Sequence, residues 1–107
     1  MNWKPISEIV MRLGLRSRIQ MKGALDDAAW SSFLIVPCGG YIESQQGPVR
    51  EEDVEFLAVD CLKRLKRGLR LKEEVADKLG ELAAALENEG VGFRAVGSTV
   101  YISGAES

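Results

Sequence analysis

The sequence predicts an α+β fold, and three stretches carry that prediction. Residues 71–90, LKEEVADKLGELAAALENEG, place Leu71, Val75, Leu79, Leu82 and Leu86 at steps of four, four, three and four, along one face of an α-helix. Residues 91–103, VGFRAVGSTVYIS, set two short alternating stretches on either side of Gly97-Ser98, a dipeptide suited to a two-residue hairpin turn. SFLIVP is a continuous apolar run closed by Pro37, which suits a buried strand. A leucine stripe must be laid on something. The expected architecture is therefore an N-terminal helix, an antiparallel sheet of about four strands, a long amphipathic helix over about 71–89 packed on one face, and a closing C-terminal β-hairpin.

Taken in order, residues 1–25 read as helical. Pro5 suits a first turn, and Ile6, Ile9, Val10 and Leu13 form a stripe; Gly14 breaks or caps it, and Leu15, Ile19 and Leu25 follow. Asp26 or Asp27 is placed to cap a short turn. After SFLIVP, Cys38-Gly39-Gly40 reads as a loop, YIES as a short strand and QQGP as a turn. Residues 49–70 fit two patterns. VREEDVEFLAVDCLKRLKRG can be written as a helix with acids first, bases last and Gly68 as its cap. It can equally be a strand at VEFLAVD followed by a second extended segment. Gly90 stands where a left-handed C-cap ends the leucine helix, and the GAES tail is expected to fray.

At 107 residues the chain is expected to form one domain, with a helical part at 1–25 and an α+β core at 26–103. A composition of 46% hydrophobic and 28% charged residues argues against global disorder. The net charge of −2 means that any nucleic-acid site must be a local patch. No apolar run approaches a membrane span, and Glu8 and Arg12 interrupt the N-terminal apolar pattern, so neither a membrane anchor nor a signal peptide is expected. The expected location is the cytoplasm. Cys38 and Cys61 fit no metal or CxxC spacing and are read as reduced thiols packed as small apolar groups.

Enzyme chemistry is poorly supported. Histidine is absent, which removes the usual general base, proton shuttle and metal ligand, and with them any Cys-His dyad at the Cys38 loop. There is no phosphate loop of the GxxxxGK[ST] or GxGxxG type, and Ser31 and Ser32 lie in no nucleophile elbow. The run Glu51, Glu52 and Asp53 is read as a solvated element start rather than a Mg²⁺ site. No catalytic residue, metal or cofactor is expected.

VEFLAVD, the basic segment after it, the leucine helix and GVGFRAVGSTVYISG together are similar to small uncharacterised bacterial α+β domains, which include toxin-immunity proteins. The likeness covers roughly residues 48–104. It implies a strand at 54–60, and it implies a protein that neutralises a partner. Separately, ISEIVMRLGLRSRIQMK resembles the start of a helix-turn-helix, with Arg16, Arg18 and Lys22 where a recognition helix meets DNA; Gly23 interrupts that second helix.

Two functions follow as expectations. The first is a non-enzymatic protein-binding module of the immunity or inhibitor kind that occludes a toxin or effector. Its candidate surface is the acidic set Glu43, Glu51, Glu52 and Asp53, with Tyr41 as an aromatic anchor. The alternative is a nucleic-acid-binding regulatory protein. It would use Arg16, Arg18 and Lys22, or the basic segment Lys63, Arg64, Lys66, Arg67 and Arg70, in which no aromatic residue is interleaved. A homodimer through a free sheet edge, formed by SFLIVP or VGFRAV, is a third use of the fold.

Overall fold

The computed structural model describes residues 3–24, 29–45, 47–65 and 74–104. The first element is the helix α1 (Trp3–Leu13), which buries Trp3, Ile6, Ser7, Ile9 and Val10 along one side. It ends at Gly14, whose φ of 68° lies in the left-handed region. The Gly14 N–H donates to Met11 O (3.1 Å) and the Leu15 N–H to Val10 O (3.1 Å), a Schellman ending that satisfies two orphan carbonyls.

Directly after Gly14 the chain becomes extended. Residues Arg16–Met21 form strand β1, which corrects the helical reading over those residues and removes the second helix of a helix-turn-helix there; Leu25 lies outside the described residues. Leu15 and Ile19 are four apart, as a helix requires, but Ser17 and Ile19 alternate with Arg16 and Arg18, as a strand requires. A neighbouring strand decides between the two periods. The Asp26 and Asp27 cap lies outside the described residues.

SFLIVP is not a strand either. It leads into the next hairpin with one bridge just before it, Ser17 with Ser31, and one within it, Ile35 with Glu43. Leu34 is fully buried while Ile35 is 43% exposed, so the run is apolar on both sides without being covered on both. Strands β2 (Tyr41–Ser44) and β3 (Gly47–Arg50) pair as a small hairpin, and a 3₁₀ turn (Glu51–Asp53) leads into β4 (Val54–Asp60). VEFLAVD is thus a strand. β5 (Leu62–Leu65) pairs with β6 (Glu74–Asp77), and the segment between them lies outside the described residues.

Helix α2 (Leu79–Asn88) is shorter than the leucine spacing predicts. Residues 74–77 are drawn into pairing with β5, and Asp77 Oδ1 accepts the Leu79 N–H (2.9 Å), so the helix starts there. Leu82 and Leu86 are fully buried and Leu79 partly so; Val75, the expected earlier turn of the stripe, is 55% exposed on β6. Leu71 lies outside the described residues. At the other end Gly90 (φ 71°) closes a second Schellman ending, with Val91 N–H donating to Leu86 O (2.9 Å).

β7 (Arg94–Val96) and β8 (Thr99–Ser103) complete a four-stranded antiparallel sheet in the order β1-β4-β8-β7. Rows Ser17–Val59–Val100 and Ile19–Leu57–Ile102 run across one face. Trp3, Ile6, Ile9 and Val10 of α1 and Leu82 and Leu86 of α2 join those side chains in one buried cluster. Both helices therefore cover the same face. Among the described residues no helix is long and apolar enough to cross a membrane.

Candidate functional site

The pairing register also fixes what stands on the face the helices leave open. One row reads Arg16–Asp60–Thr99–Val96, the next Arg18–Ala58–Tyr101–Arg94, and a third Gln20–Phe56–Ser103. Side chains opposite one another in a sheet share a face, so three arginines and two rings meet here from four strands. Phe56 and Tyr101 sit on the two central strands, with ring centroids 5.5 Å apart at an edge-to-face angle of 69°. The Arg94 guanidinium lies 5.6 Å from the centroid of the Tyr101 ring. Arg18 lies over Phe56 (5.8 Å) and over Trp30 (5.4 Å), and Arg16 over Trp30 as well (5.8 Å). Each such contact contributes about 0.5–1 kcal/mol at an exposed site. Arg16 is further held by Asp60, Nη2 to Oδ2 at 2.6 Å.

A bulge shapes the end of this face. Gln20 pairs with Phe56 and Met21 with Val54, which leaves Glu55 as the extra residue. The parity of β4 shifts at that point: Val54 enters the core, while Glu55 and Phe56 both line one cavity on the open face. That cavity measures about 500 Å³ and is lined by Arg18, Glu55, Phe56, Arg94, Tyr101 and Ser103. Gly104 braces the bulge, its N–H donating to Glu55 O at 2.9 Å. A Cβ on Gly104 would collide with the Val54 carbonyl, a backbone group that cannot swing aside. Gly104→Ala is therefore expected to lower stability by about 1–3 kcal/mol, as overpacking does. Urea unfolding checks it, and an unchanged midpoint would show that the bulge yields.

The acidic candidates are only partly brought together. Tyr41, Glu51 and Glu52 line a shallow hollow of about 420 Å³ with Gly40 and Arg50. Arg50 offsets part of the negative charge, Nη1 to Glu52 Oε1 at 3.4 Å. Glu43 does not line that hollow; it is half-buried and its backbone bridges Ile35. Asp53 is exposed at the end of the 3₁₀ turn, where its carbonyl accepts the Lys22 N–H (2.9 Å), so Lys22 sits beside the acids rather than on a DNA-reading helix. Lys63 lies on β5 with its ammonium against Gly14, and Arg64 is on the same strand. Lys66, Arg67 and Arg70 lie outside the described residues. Arg16 and Arg18 are thus the basic candidates that meet aromatic rings.

Cys38 is exposed, which corrects its reading as a packed thiol; Cys61 is buried. Burial, with Asp77 and Asp60 nearby, pushes the Cys61 thiol up to about 11, so it stays protonated and unreactive at neutral pH. Among the described residues no group of three or more Cys, Asp or Glu side chains is arranged to hold a metal ion.

Trp30, Glu55, Phe56, Arg94 and Tyr101 escaped the sequence reading. One signal for them was present. In VEFLAVD and TVYIS the aliphatic residues Leu57, Val59, Val100 and Ile102 fall on one parity, and Phe56 and Tyr101 fall on the other. Comparison with family models, curated proteins and solved structures finds no match.

Proposed function

We propose that this protein is a non-enzymatic binding module whose open sheet face holds single-stranded nucleic acid. The observation that carries the reading is the placement of Phe56 and Tyr101 on the two central strands, on the sheet face that neither described helix covers, with arginine guanidinium groups over their rings. Bases of a single strand expose π-faces that stack on aromatic and guanidinium planes, and a four-stranded sheet backed by helices is one architecture that presents them. The likeness is architectural only. The face is the local patch that a chain of net charge −2 requires. A duplex hides its base faces and has no counterpart for these rings.

Anisotropy of a fluorescein-labelled eight-nucleotide DNA strand tests the reading. The strand is expected to bind where the duplex of the same sequence does not. Tyr101→Ala should weaken binding about tenfold or more, since stacking on one ring contributes about 1–3 kcal/mol. Glu8→Gln, on the exposed side of α1, should leave it unchanged. With few arginines to neutralise phosphates, the slope of log affinity against log salt should be shallow, about −1 to −2. Equal binding of duplex and single strand, or indifference to Tyr101→Ala, would refute the proposal.

A second reading keeps the protein-binding role of the immunity or inhibitor kind and rests on the hairpin hollow. Tyr41 is 41% exposed beside Glu51, Glu52 and Arg50, an aromatic anchor within mixed charge. Stoichiometric capture of one protein, insensitive to nuclease and lost on Tyr41→Ala, would favour that reading over the first.

A further inference from the structure

Stacking alone does not choose among bases, but the cavity beside the rings is polar in a way that does. The bulge brings Glu55 into the lining of that cavity, and Glu55 and Arg94 stand on the strands that flank β8 on either side. Between them lies Tyr101, with Phe56 beside it. Among the described residues neither the Glu55 carboxylate nor the Arg94 guanidinium has an ion-pair partner; the contact of Arg94 is the Tyr101 ring. A ligand seated here meets a ring below it, an acceptor-only group on one side and a donor-only group on the other.

We infer that this cavity selects guanine within a single strand, with Glu55 reading its Watson–Crick edge; the inference rests on the nucleic-acid reading above. An ionised carboxylate offers two acceptors and no donor. Guanine presents two adjacent donors, N1–H and the N2 amino group, and carries the acceptors O6 and N7 further round the ring for the Arg94 guanidinium. Adenine sets a lone pair at N1 against the carboxylate, cytosine sets one at N3, and thymine flanks its single N3–H with two carbonyl oxygens. Each places an acceptor against Glu55. The cavity volume of about 500 Å³ is within the range of small-ligand sites and admits a purine.

The experiment uses the full chain and labelled octathymidylates carrying one central guanine or one central adenine. The guanine strand is expected to bind about tenfold more tightly, the discrimination typical of one bidentate base contact. Glu55→Gln should abolish that advantage and raise binding of the adenine strand, because a carboxamide pairs with adenine. Glu55 is exposed, so this isosteric change leaves folding intact and tests recognition alone. Equal affinity for the two strands, with Tyr101→Ala still weakening both, would overturn guanine selection and leave the single-strand reading standing. No binding of either strand would overturn both. Guanosine monophosphate binding as tightly as the octamer would overturn the assignment to a strand and make the site one for a free nucleotide.

Discussion

Trp3→Ala is expected to destabilise the protein by about 3–5 kcal/mol. Trp3 lies in the first turn of α1 and is fully buried, the largest side chain of the core. It packs in the same cluster as Ile6, Ile9 and Val10 of its own helix and the inner rows of the sheet. Truncation removes the transfer free energy of an indole and leaves a void that a helix pinned at Gly14 by its Schellman ending cannot collapse to fill. Against a typical total of about 5–15 kcal/mol, that is a large share. Far-UV circular dichroism during urea unfolding measures it, and the thermal midpoint should fall by about 4 °C or more for each kcal/mol. A loss below about 1 kcal/mol would mean that α1 is not integral to the core.

Leu82→Ala is the second large effect, at about 2–5 kcal/mol, and it is most informative beside Val75→Ala. The sequence places both residues on one helical stripe. The structure separates them: Leu82 is fully buried on α2, whereas Val75 sits on β6 and is 55% exposed. Val75→Ala should therefore change stability by less than about 0.5 kcal/mol. Two comparable losses in the same urea titration would restore the long helix and refute the β5–β6 pairing.

The leucine repeat predicts the helix where the core lies beneath it and fails where a strand competes for the same residues. Leu79, Leu82 and Leu86 keep their helical face because the sheet and α1 lie beneath them. One turn earlier the same repeat is outcompeted by pairing with β5, and Asp77 accepts the Leu79 N–H where the helix begins late. The stretch after Gly14 shows the reverse error. Leu15 and Ile19 satisfied a helical spacing by coincidence, and only pairing with β4 exposed the alternation that rules residues 16–21. The same mistake displaced Arg16 and Arg18 from a supposed recognition helix, although their identity as candidate nucleic-acid contacts is carried into the proposed face.

What the sequence determined by itself is what local chemistry determines: the α+β class, the ends of both helices at Gly14 and Gly90 and the turn at Gly97; at 54–60 helix and strand stayed open until pairing with β1 and β8 decided for strand. It also removed every mechanism that needs histidine. The open face was decided by tertiary structure alone. Its rings and arginines, Arg16, Arg18, Trp30, Phe56, Arg94 and Tyr101, and Glu55 beside them, are spread along the chain, and no short window contains them together. They meet because antiparallel pairing fixes a register between distant strands, and the bulge at Glu55 brings that residue into the same cavity as Phe56. Register is a property of two strands at once, so a single segment cannot encode it.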